Sequence, residues 1–123
     1  MANNYIWITT QQEMIHNYPD APDEVAFLRH PHRHLLKAKV YIEVFSHDRE
    51  IEFFMFKDTV EVLLAQTIKG TIIKSCEMIS NSLAKEIQGG YPNRDIKIEL
   101  SEDGENGSEY FYPKSINLNT NDD

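Results

Sequence analysis

From His32 to Val44 the residues alternate so regularly that a β-strand buried on one face is the natural fit. Leu36, Ala38, Val40, Ile42 and Val44 are apolar, and Lys37, Lys39, Tyr41 and Glu43 stand between them. Side chains two apart on a strand share a face. His32 and His34 open the strand with the parity of the apolar row, so two imidazoles point where the core points. Two imidazoles at one strand end can hold a metal if a third ligand comes from elsewhere. His16 is the candidate for it. The other reading of these histidines is solvation at a strand end or hydrogen bonding within the core. His30 shares the parity of His32 and is a further possible ligand, but Pro31 puts it in a loop. His47 falls in a turn and reads as solvated.

The rest of the chain frames this strand. Residues 5–16 predict a first strand with Ile6, Ile8, Met14 and His16 in one parity. A strand this long can carry a bulge that flips the face of His16. Residues 17–31 hold Pro19, Pro22 and Pro31 among several acids and predict a loop. Ser46-His47-Asp48-Arg49 predicts a hairpin turn into a short strand at 50–54. Phe56, Val60, Leu63, Leu64 and Ile68 then recur at helical steps and predict a helix over 57–68.

Gly70 marks a break. Ser75 is a good N-cap for a second helix with Cys76, Ile79, Leu83 and Ile87 on its apolar face and Gly89-Gly90 at its end. Ile96, Ile98 and Leu100 alternate along another strand, and a Gly104–Gly107 turn leads to a last one carrying Tyr110 and Tyr112. Strands grouped apart from helices predict an α+β domain, an antiparallel sheet with two helices packed on one face. The domain is expected over 1–114, with a polar flexible tail at 115–123.

The formal charge of −8 argues against a nucleic-acid partner. A single cysteine leaves no internal disulfide and fits a reducing compartment. No apolar run approaches the roughly 18 residues of a membrane span, and the opening Met-Ala-Asn-Asn lacks the features of a signal peptide, so a cytoplasmic protein without a membrane partner is expected. A chain of 123 residues often oligomerises to bury more surface.

Other residues bear on chemistry. Glu102 has the parity of Ile96, Ile98 and Leu100, so a carboxylate ends an apolar row. It either needs hydrogen-bond donors, such as the paired N–H groups of a pterin or guanine edge, or points to water beyond the strand. Cys76 lies at a helix start, where a thiol is activated, and also on an apolar stripe, where it is structural. Met55 and Met78 read as core filling, Trp7 and Phe53-Phe54 as sheet or interface surface. Asp20, Asp23 and Glu24 are loop acids, one of which serves as a base if the loop folds over the metal. There is no phosphate-binding glycine loop, no G-x-S-x-G and no Cys-x-x-Cys.

Taken in order, these residues resemble the 6-pyruvoyltetrahydropterin synthases and the 6-carboxytetrahydropterin synthases of queuosine biosynthesis. His16 and His32-Arg33-His34 stand where that family has a zinc-ligand His and then His-Gly-His. Glu52-Phe53-Phe54-Met55-Phe56-Lys57 is similar to its Asp-Phe-x-x-Leu-Lys, and Lys74-Ser75-Cys76-Glu77-Met78 stands where its second helix opens. Glu102 and Tyr110 fit its pterin-anchoring Glu and the Tyr that follows. The resemblance spans residues 5–112 and implies a tunnelling fold, assembled as two stacked trimers with active sites between subunits. It implies zinc on His16, His32 and His34, Glu102 holding a pterin or purine-like ring, and lyase chemistry on a dihydropterin triphosphate.

The chain also departs from that pattern. Leu28 stands near the family's catalytic Cys, and Arg33 replaces the Gly between the histidines. Ala65-Gln66-Thr67-Ile68-Lys69-Gly70 contains neither Asp nor His of the family's proton relay. Glu24 is the nearest loop candidate for a substitute base. The alternative is a catalytically degenerate relative that binds metal, and a pterin or purine, without lyase activity.

Overall fold

Strand β1, Asn4–His16, lies antiparallel to β2, His32–Val44, in one unbroken register from Asn4 opposite Val44 to His16 opposite His32. No bulge interrupts this pairing, so His16 keeps the expected parity of Ile8 and Met14 and faces the core with them. The computed structural model describes residues 3–114, so the expected tail from Ser115 lies outside the described residues. Strand β3, Thr71–Ile72, runs parallel to the end of β1, with Ile72 beside His16. Strand β4, Ile96–Glu102, pairs antiparallel with the other side of β2, and β5, Asn106–Tyr112, returns along β4. The sheet order is β3-β1-β2-β4-β5.

Two helices, α1 (Phe53–Thr67) and α2 (Cys76–Gly90), cover one face of this sheet. Phe56, Val60 and Leu64 of α1 and Ile79, Leu83 and Ile87 of α2 meet Met14, Leu36, Val40, Ile42, Ile96, Ile98 and Leu100 in one core. Each fully buried Leu or Ile contributes about 1.5–3 kcal/mol. A one-residue slip of β2 would turn Leu36, Val40 and Ile42 to the open face, so the energy of this row fixes the register. The α+β class and the helices on one face are as the sequence predicts. Among the described residues no helix is long and apolar enough to cross a membrane.

The segment after β2 differs from expectation. Residues 50–54 form no strand. Glu50 accepts hydrogen bonds from the backbone N–H groups of Phe45 and Ser46, which closes the turn on itself. Glu52 then caps α1, its carboxylate accepting from the N–H groups of Phe54 and Met55 at 3.0 Å each. The helix therefore begins at Phe53, four residues before the expected start. Met55 and Met78 are not core residues: they are 69% and 57% exposed. Each sits one position before a buried residue, Phe56 or Ile79, and about 100° of helical rotation carries it off the apolar stripe. Trp7, Phe53 and Phe54 are exposed, as expected of surface positions. Ser75 caps α2 through a 3.2 Å bond from the Met78 N–H, and the Asp23–Arg29 stretch of the expected loop is wound into a 3-10 segment.

A buried carboxylate was not foreseen. Glu43 has the parity of the open face yet is 3% exposed. It accepts from Lys114 Nζ at 3.1 and 3.0 Å and from the Asp95 N–H at 3.0 Å. Asp95 in turn accepts from Tyr5 Oη and the Lys114 N–H. A buried charge persists when it is paired and hydrogen-bonded in this way.

Candidate metal centre

The three expected histidines converge. His16 ends β1, His32 starts β2 directly opposite, and His34 lies one step further along the same face. One nitrogen from each ring falls in a group whose members are all within 4.8 Å of one another. His16 Nδ1 and His32 Nε2 are 3.4 Å apart. Nitrogen donors about 2.0–2.1 Å from a tetrahedral ion are separated by about 3.4 Å, so this pair stands at the spacing of two ligands. The ring centroids of His32 and His34 are 4.7 Å apart and the rings nearly perpendicular, which lets adjacent imidazoles aim at a common point.

Each ring is also held from behind. His32 Nδ1 lies 2.8 Å from the carbonyl oxygen of His30. A carbonyl only accepts, so Nδ1 carries the proton and Nε2 keeps its lone pair. His34 Nδ1 lies 2.8 Å from Asp103 Oδ2, and the same logic frees its Nε2. His16 has a backbone hydrogen bond with Lys74 that favours the protonated ring, which marks the Lys74 carbonyl as the acceptor. Metal-binding histidines are ordinarily oriented through the second ring nitrogen in this manner. Burial holds the His16 imidazole below its ordinary pKa of 6.5, against the opposing pull of the Glu102 carboxylate. The neutral ring that a metal requires is thereby favoured. The donor set and its supports fit a metal ion on His16, His32 and His34.

Glu102 is the last residue of β4, pairs with Leu36, and brings Oε1 to 3.8 Å from His34 Nε2. The carboxylate thus lies beside the cluster rather than beyond the strand. Cys76 is buried at the start of α2, and burial together with the charges of Glu102 and Glu77 pushes its thiol up to about 11. It is a protonated thiol at neutral pH, as a structural cysteine is. Glu24 is exposed in the 3-10 segment, and no hydrogen bond or ion pair joins it to the cluster among the described residues. That segment is closed on itself by Arg29, which donates to the Ala21 carbonyl and pairs with Asp23 at 2.7 Å. His30 contributes its carbonyl and not its ring to the centre, and His47 is exposed.

Asp103 and the Lys74 backbone are the functional groups that sequence reasoning missed. The Asp103-Gly104 pair after Glu102 signals a tight turn, but its reach to His34 depends on the β2–β4 register. No known family model and no curated protein matches the chain. Fold and site together define an α+β protein with a three-histidine candidate metal centre at one end of its core.

Proposed function

We propose that the protein holds one zinc ion on His16, His32 and His34 and acts as a lyase on a dihydropterin triphosphate, in the manner of the pterin synthases it resembles. The observation that carries this reading is the arrangement of three imidazoles with one nitrogen turned inward and the other hydrogen-bonded outward. Three neutral nitrogen ligands with an open position are the pattern of a catalytic rather than a structural zinc. The antiparallel strands with two helices on one face support a tunnelling fold, and with it a homo-oligomer of stacked trimers.

Zinc bound there supplies a Lewis acid for substrate oxygens and acidity for the adjacent C–H and O–H groups. Glu102 accepts the paired N–H groups of the pterin edge, because its carboxylate ends the apolar row beside the histidines. Asp103, the His30 carbonyl and the Lys74 carbonyl hold the three rings in the ligating tautomer. Glu24 serves as base only through movement of the 3-10 segment onto the cluster.

A second reading is favoured by a specific observation. The end of α1 and the residues after it, 65–70, carry no Asp or His, and the Cys76 thiol is protonated at neutral pH. On this reading the centre binds zinc and a pterin or purine without turnover. Incubation of the zinc-loaded protein with dihydroneopterin triphosphate separates the two. Pterin product supports the lyase, and saturable binding without product supports the second reading. Neither binding nor product overturns both.

A further inference from the structure

The face of the sheet turned away from the helices carries two neighbouring rows, Gln11-Lys37-Ser101-Gly107 and Thr9-Lys39-Glu99-Glu109, each crossing β1, β2, β4 and β5. Together they line a cavity of about 820 Å³. Small-molecule sites run from about 300 to 1,000 Å³. The acids along it are committed. Glu99 pairs with Lys97 at 3.7 Å and accepts from Tyr41 Oη at 3.0 Å, and Glu109 pairs with the same Lys97 at 3.6 Å. Glu61 accepts from Thr10 Oγ1. Asp103 attracts Lys37 but is bound to His34 and the Leu35 N–H.

The cations are not committed. Lys37 and Lys39 form no ion pair among the described residues. Lys39 Nζ rests 4.1 Å from the centroid of the Trp7 ring, a contact with a ring face that leaves ammonium N–H groups for another acceptor. The side chains of Thr9, Gln11 and Ser101 also have no hydrogen-bond partner among the described residues. Two ammonium groups and three neutral donors thus converge on one concavity. The two lysines share a face two residues apart, about 7 Å along the strand. A single phosphate meets one of them, whereas a chain of phosphoryl groups spans both and offers oxygens to the donors between. The net charge of −8 does not oppose this, because a cleft lined by one sign of uncommitted charge sets its own local field.

We infer that this cavity binds a linear polyphosphate chain, held by Lys37 and Lys39 and oriented by Thr9, Gln11 and Ser101. The site is separate from the metal centre, whose histidines have the opposite parity and face the core. The inference therefore does not rest on the zinc reading.

Calorimetric titration of the metal-free protein with inorganic tripolyphosphate tests it. Saturable binding of one chain per protomer is expected, with orthophosphate binding at least about tenfold more weakly. Lys37→Gln and Lys39→Gln should each weaken tripolyphosphate binding about tenfold or more, and the double variant should abolish it. Lys85→Gln removes the same charge from an exposed position on α2 and should leave the affinity unchanged. Thermal denaturation confirms that each variant is folded. No binding by the wild type, equal affinity for orthophosphate, or equal losses in Lys85→Gln and Lys37→Gln would overturn the site. Each of these results leaves the histidine centre standing, since no metal is present in the titration.

Discussion

Asp103 accepts the Nδ1 proton of His34 at 2.8 Å from a backbone position whose φ is +61°. A non-glycine residue there costs about 1–2 kcal/mol, less for Asp, which tolerates the left-handed region. The cost is offset locally. Asp103 Oδ1 accepts the Leu35 N–H, and the Asp103 N–H donates to the Leu35 carbonyl, both at 2.8 Å. The turn after β4 is thereby clamped onto the start of β2, and the histidine is set as a consequence.

Asp103→Ala removes the acceptor that fixes the His34 tautomer. Metal affinity is expected to fall about 10–100-fold, as for loss of a residue that orients a metal ligand. Asp103→Asn keeps an acceptor and tolerates the same φ, so its loss should be smaller. Competition with a chromophoric chelator measures both, and equal affinities for all three proteins would remove Asp103 from the centre.

Gly107 of β5 lies directly opposite Ser101 of β4. A Cβ there would lie 2.0 Å from the Leu100 carbonyl oxygen and 2.6 Å from Ser101 Cα. Both are backbone atoms of a paired strand and cannot move aside cheaply. Gly107→Ala is expected to cost about 1–3 kcal/mol or more, a fall in Tm of roughly 5–20 °C. Gly89 in α2 has nothing within 4 Å of its added Cβ, so Gly89→Ala should raise Tm slightly. Thermal denaturation of the two variants gives opposite signs if the hairpin is packed as described.

Glu50 links the turn after β2 to Arg94. Its hydrogen bond from Arg94, with those from the Ser46 and Phe45 N–H groups, lowers its pKa from 4.5 to about 2. The folded state therefore holds this carboxylate charged where the unfolded state takes up a proton. The contribution is complete above pH 4.5 and is lost as the pH falls toward 2. Glu50→Gln should flatten the stability profile within that window and leave its shape above pH 5 unchanged. A parallel loss of stability in both proteins through the window would rule out this linkage.

His16 works in the same direction at higher pH. Burial lowers its pKa from 6.5, so the unfolded chain binds a proton that the folded chain refuses. Stability of the metal-free protein should be at its full value above pH 6.5 and decline as the pH drops below it. His16→Gln should reduce that slope. Urea denaturation at stepped pH values checks it, and an identical slope in the variant would contradict the burial of a neutral ring.

The elements that the sequence made legible are those whose patterns are long. The alternation of Leu36 to Val44 and of Ile96 to Leu100 survives because each row is buried as a unit. The parity of His16 is readable from its own strand because the β1–β2 register contains no bulge. The start of α1 is not legible in the sequence because Glu52 is not among the usual capping residues, and its cap shows only in the hydrogen bonds of Phe54 and Met55. Strand β3 has two residues, too few for a period, although Thr71-Ile72-Ile73 is a β-branched run. The support from Asp103 needs strands far apart in sequence to be in register, which single-strand patterns do not encode.

The central claim is a metal ion on His16, His32 and His34. The direct measurement is metal content by mass spectrometry of tag-free protein purified without added metal, with His32→Ala in parallel. About one zinc per chain in the wild type and none in the variant is the predicted result. Wild-type protein without metal, even after zinc is restored and excess removed, would contradict the account.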